Sequence, residues 1–182
     1  MSGPEEKGER GTSWIALLGL LLFVAVFVSL CPLAPSGIRE YTRRMNCASN
    51  LRQIGLAIKV YAQENGEAFP PNFDVLYPVY VDEPKLFSCP SNPGEWQKIK
   101  ETGEVHPEWT SYVYVSGLDD TDDAACVLAY DRAENHDGDG VYVLFLDTHV
   151  EWMPDPGKLA ELLAKTRELA AANGHEIRLV GE

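Results

Sequence analysis

The chain has 182 residues, which is room for one ordinary domain plus a short appended segment. A formal net charge of −13 excludes nucleic acid as a partner, because phosphate binding needs a basic surface. The apolar fraction of 45% suits a folded protein, yet much of it is concentrated in one stretch.

Residues 1–13 are polar and rich in Gly and Glu, the composition of a disordered segment. Residues 14–30 then read WIALLGLLLFVAVFVSL, with no charge. At 1.5 Å per residue this run is about 26 Å long, and Cys31, Leu33 and Ala34 extend it toward a bilayer crossing. The segment therefore reads as a transmembrane anchor over 14–34, ended by Pro32 and Pro35. A cleaved signal peptide and a lipoprotein signal are the competing readings. Leu30-Cys31-Pro32 is a poor context for either kind of processing. Arg39, Arg43, Arg44 and Arg52 follow the run, against Lys7 and Arg10 before it. Counted alone, these basic residues would keep the C-terminal side in the cytoplasm.

Ile38, Tyr41, Met45, Ala48, Leu51, Ile54, Ile58 and Tyr61 recur at steps of three and four, which predicts an amphipathic helix over 38–65. Asn65-Gly66 supplies its C-terminal cap. Residues 81–110 are rich in proline and read as loop. Strand candidates follow at 111–115, 126–130, 141–146 and 149–152, the last two forming a β-hairpin. Thr148 at its turn is β-branched and resists positive φ, so a different turn type or a longer loop is expected. Asp155-Pro156 opens a second helix over 156–173, with Leu159, Leu162, Leu163, Thr166 and Leu169 as its inner stripe. The tail 175–180 can add an edge strand. The expected fold is α+β: the anchor, then a soluble domain over 35–182 in which the long helix packs on a small antiparallel sheet (69–152), plus the C-terminal helix.

His136, Asp147 and His149 are of metal-ligating type. A hairpin turn at Asp147 instead favours a structural hydrogen bond between Asp147 and His149. Asn135, Asp137, Asp139 and Gly140 match the opening of an EF-hand calcium loop, but the twelfth position is Leu146 where a bidentate Glu is required. The acidic run 119–123 reads as a solvated loop or a recruiter of divalent cations. The four cysteines contain no CxxC pair, which disfavours a zinc ribbon. There is no G-x-S-x-G, P-loop or H-E-x-x-H.

The segment REYTRRMNCASNLRQIGLAIKVYAQENGEAFPP, followed by Phe87-Ser88-Cys89-Pro90-Ser91 and by His136 with the late hairpin ending HVEW, resembles a bacterial pilin-like family. It is similar to the prepilin-type, processing-associated H-X9-DG proteins, which are related to the major pseudopilin of type II secretion. Ten residues rather than nine separate His136 from Asp147, and Thr148 stands where the family has Gly. No Gly-Phe-Thr-x-x-Glu leader precedes the apolar run, so a permanent tether is expected rather than an extractable fibre subunit.

The resemblance implies a non-enzymatic, structural or assembly role in a type II secretion or type IV pilus-like system. It further implies a single-pass protein of the cytoplasmic (inner) membrane with its C-terminal domain outside the cytoplasm, against the basic-residue count. Its partners would be the lipid bilayer and other pilin-like subunits or secretion components. Calcium-binding loops of major pseudopilins imply a calcium site at Asp137 or Asp139. Cys47 and Cys89, both in family-like segments, are the preferred disulfide pair. The alternatives are a tethered metal-dependent enzyme using His136, Asp147 and His149, or a calcium-dependent binding module.

Overall fold

The computed structural model describes residues 13–30 and 36–181. Contacts divide the chain into two units, Met1–Arg39 and Glu40–Glu182. In the first, α1 (Ser13–Leu30) is an apolar helix whose large side chains are exposed. The expected disordered segment falls outside the described residues, apart from Ser13, which opens α1. The 14–34 anchor is helical as far as Leu30, and its remainder is also outside them. Among the described residues no helix is long and apolar enough to cross a membrane. The 18 residues of α1 make about 27 Å, short of a ~30 Å hydrocarbon core.

The second unit is an α+β domain. α2 (Ser36–Glu64) matches the predicted long helix to within two residues at each end and gives way to a turn at Gly66, whose φ of +66° suits a residue without a side chain. Its buried face runs through Cys47, Leu51, Ile54 and Ile58. The first half of the expected stripe is instead exposed at Ile38, Tyr41 and Met45. Five strands follow: β1 (Tyr112–Ser116), β2 (Val127–Asp131), β3 (Val141–Phe145), β4 (Val150–Met153) and β5 (Arg178–Val180). They form one antiparallel sheet in the order β4-β3-β2-β1-β5. The region expected to be loop holds a seven-residue helix, α3 (Trp96–Thr102), ended by Gly103 at φ +77°. α4 (Pro156–Ala172) starts as expected, with the Asp155 carboxylate accepting from Gly157 N–H at 2.9 Å.

Every residue of β1 and β2 is buried, which requires cover on both faces of the sheet. Register assigns the faces. Tyr112 opposes Asp131, Tyr114 opposes Ala129, Ala129 opposes Leu144, and Tyr142 opposes Trp152, so these residues share one face. That face meets α2: a Cβ on Gly55 would lie 3.0 Å from Leu144 Cδ1, so the missing side chain sets the helix-to-sheet approach. Val113, Tyr130 and Val141 lie on the opposite face, beside Leu159 and Leu163 of α4. The layers are helix, sheet, helix around a single core.

The β3–β4 hairpin has the longer loop expected of its turn, but Thr148 does not avoid positive φ. Phe145 N–H donates to His149 O at 3.0 Å and Thr148 N–H to Phe145 O at 2.9 Å, closing a three-residue loop. Such loops place their last residue in the left-handed region. Thr148 adopts φ +71° there, despite its branched Cβ.

Candidate functional site

The α2-facing side of the sheet is apolar except for one buried group of chemically active side chains. Cys47 lies on the buried stripe of α2, one turn before Leu51. Cys89 follows the 3-10 turn Pro84–Phe87, in a segment held to α2 by Asn50 Nδ2 donating to Ser88 O at 3.0 Å. Asp131 ends β2, opposite Tyr112. His136 ends the 3-10 turn Ala133–His136, which Asp137 closes in the left-handed region at φ +57°. Four separate elements thus deliver four side chains to one place. Cys47, Cys89 and Asp131 are fully buried, and His136 is 1% exposed.

The sulfurs of Cys47 and Cys89 and a ring nitrogen of His136 lie within 4.8 Å of one another. His136 Nε2 is 3.7 Å from Cys89 Sγ and 2.9 Å from Asp131 Oδ2. Cys47 Sγ donates to Asp131 Oδ2 at 3.4 Å and lies 3.5 Å from the Tyr112 hydroxyl. The second oxygen of Asp131 accepts Tyr142 N–H at 2.9 Å. On its other side, His136 Nδ1 faces Glu40 Oε1 at 3.3 Å, and Ser91 Oγ donates to the same oxygen at 2.7 Å. Arg44 Nε lies 3.5 Å from that oxygen, and its guanidinium also pairs with Asp139 and sits over the Trp152 ring. Tyr142 and Trp152 place ring edges around the imidazole, with centroids 5.8 and 5.5 Å away.

Charge is redistributed accordingly. The hydrogen bond from Cys47, helped by His136, outweighs burial and lowers the Cys89 thiol to about 5. Cys47 moves the opposite way, raised by its contact with Cys89, by burial and by Asp131. Burial opposes charge on His136, but Asp131 and Cys89 outweigh it and raise the imidazole to about 10. Burial pushes the Asp131 carboxyl up, against the pull of His136. The Cys89 thiol is thus drawn toward ionisation and the His136 imidazole toward protonation, a nucleophile-and-acid pairing by composition. All four side chains are secluded from solvent, and two sulfurs and an imidazole nitrogen converge in ligand-like geometry.

The sequence-predicted site residues divide. His136 belongs to this group, and Cys47 and Cys89 meet there with both sulfurs free. Asp139 is engaged by Arg44, and Asp137 is an exposed turn residue. Asp147 accepts both the backbone N–H of His149 (3.0 Å) and its Nδ1 (2.5 Å), closing the hairpin loop. Asp137, Asp139, Asp147 and His149 are absent from both groups of metal-ligating geometry found among the described residues. The second such group is Asp119, Asp122 and His175. There Asp122 accepts from Asn173 Nδ2 (2.7 Å), the His175 ring (2.8 Å) and Asp119 N–H (3.0 Å), tying the acidic loop to the end of α4. Asp131, Tyr112 and Glu40 were not singled out from the sequence. The available signal was an aspartate ending an apolar strand five residues before His136.

Residues 36–75 match a family model described as "Protein of unknown function (DUF1559)". The matched stretch is α2 and the turns after it, so it carries Glu40, Arg44 and Cys47 of the site. That family is associated with pilin-like and pseudopilin-like proteins. No curated protein and no solved structure matches the chain.

Proposed function

We propose that the chain is a non-enzymatic, pilin-like subunit held at the cytoplasmic membrane by its apolar N-terminal segment. Its α+β domain lies outside the cytoplasm, and it assembles laterally with like subunits in a type II secretion or type IV pilus-like system. The observation that supports this reading is the character of α1. Its large side chains are apolar all round, and Phe23, Leu22 and Phe27 are each about two-thirds exposed (68%, 66% and 65%). An all-round apolar helix needs lipid or other helices around it. In the second unit, Tyr41 and Met45 of α2 are also exposed. The similarity of residues 36–75 to a family associated with pilin-like proteins adds weight.

The test combines extraction with cross-linking. The full chain should stay in the membrane fraction after carbonate washing, and a photo-cross-linker at Tyr41 or Met45 should give homotypic adducts in cells. Recovery in the wash, or adducts absent at both positions, would overturn the reading.

A further inference from the structure

The buried group reads as a coordination site once its separations are compared with a tetrahedron. Zinc bonds of about 2.3 Å to sulfur and about 2.0 Å to nitrogen or oxygen set tetrahedral edges of about 3.8 Å between sulfurs. The same bond lengths set edges of about 3.5 Å from sulfur to nitrogen or oxygen and about 3.3 Å from nitrogen to oxygen. Here Cys89 Sγ to His136 Nε2 is 3.7 Å, Cys47 Sγ to Asp131 Oδ2 is 3.4 Å, and His136 Nε2 to Asp131 Oδ2 is 2.9 Å. The two thiol sulfurs and the imidazole lie within 4.8 Å of one another. The nitrogen-to-oxygen edge has to open by a few tenths of an ångström, and the Asp131 carboxylate has to swing toward Cys89, because it lies outside the set of two sulfurs and one ring nitrogen that fall within 4.8 Å of one another.

From this geometry we infer that Cys47, Cys89, His136 and Asp131 bind one zinc(II) ion in a closed, structural tetrahedral site. The surroundings fit that occupant. The outward nitrogen of His136 faces Glu40, the carboxylate–histidine arrangement that fixes the tautomer and orientation of a metal-bound imidazole. Ser91 and Arg44 in turn hold Glu40 in place. Tyr142 N–H anchors the non-ligating oxygen of Asp131. Binding sends to solvent the protons carried by the two thiols and by His136 Nε2, leaving two thiolates and a neutral imidazole that ligates through Nε2 while Nδ1–H donates to Glu40. The completely buried sulfurs leave no open position, which separates a structural site from a catalytic one. The ion would join α2, the Cys89 loop, the end of β2 and the His136 turn. This inference is independent of the assembly reading above: either can fail without the other.

The experiment uses the full chain, purified in detergent without chelator. Elemental analysis should find stoichiometric zinc. Replacement by cobalt(II) should give tetrahedral d–d bands with a thiolate charge-transfer band. Cys47→Ser and Cys89→Ser should each abolish that band, and Cys126→Ser, outside the group, should keep it. Glu40→Gln touches no ligand bond and lies at the partly exposed rim, so it keeps the proposal testable if the serine variants fail to fold. It should weaken zinc affinity about 10–100-fold in competition with a chromophoric chelator. Three outcomes would overturn the inference. The first is metal-free protein lighter by two hydrogens in which peptide mapping joins Cys47 to Cys89. The second is metal-free reduced protein that takes up no cobalt. The third is zinc that survives both serine substitutions or is lost with Cys126.

Discussion

Thr166→Val tests the join between α4 and the sheet. The β2–β3 register steps from Val127↔Phe145 to Ala129↔Leu144, so Leu128 is an extra residue and the ladder is interrupted. Val127 N–H is taken up by Thr166 Oγ1 at 2.9 Å, and both residues are fully buried. Valine has nearly the shape of threonine but no acceptor, so the substitution strands a buried backbone donor, at a cost of about 1–3 kcal/mol. For a chain of this size each kcal/mol corresponds to about 2–4 °C, so a loss near the middle of that range lowers Tm by about 4–8 °C. Thr166→Ser keeps the acceptor and should stay within about 1 kcal/mol of the parent. Urea denaturation followed by circular dichroism, with thermal melts alongside, reads both variants. A valine variant as stable as the parent, or a serine variant as damaged as the valine one, would refute the assignment of Thr166 to the bulge.

Thr148→Gly should stabilise the chain by about 0.5–1 kcal/mol, because relief of left-handed strain exceeds the added freedom of the unfolded chain; chemical denaturation checks the sign. Ile54→Ala removes a fully buried side chain from the helix–sheet contact and should cost about 2–5 kcal/mol in the same assay. Burial raises the Asp119 carboxyl, but hydrogen bonds from Thr121 and the nearby His175 outweigh it and hold it below the usual range. Its stabilising contribution is therefore present above about pH 4 and lost as pH falls through the folded value. Asp119→Asn should flatten that part of the acid-stability profile.

Periodicity made the two long helices and the first four strands legible, because 3.6- and 2-residue patterns survive in α2, α4 and the strands. The phase of the α2 stripe was less legible. Ile38, Tyr41 and Met45 fit the pattern but remain exposed, while Cys47 proved to be on the buried side. Residues 96–102 form a helix too short for periodicity to register, set among prolines that read as loop. At Thr148 the pairing of β3 with β4 overrode a local preference, as tertiary context does where a register is strongly fixed. The candidate site was legible only in pieces. Its members come from α2, a loop, a strand end and a turn far apart in the chain. Spacing rules work when ligands share one element, and here only the sheet register and the seat of α2 bring them together.

The route of the chain between β4 and β5 bears on how folding finishes. β1 to β4 are joined in sequence order as a meander, so each strand pairs with the one just made. β5, by contrast, lies at the opposite edge from β4 and pairs with β1 only after α4 has been laid across the intervening strands. β5 is three residues long, stands at the sheet edge and is held by β1 alone, so it is the least supported strand. The final segment thus works as a latch: releasing it frees the end of α4, which covers one face of the sheet. In hydrogen exchange, the amides of Arg178–Val180 should lose protection well before those of β2 and β3.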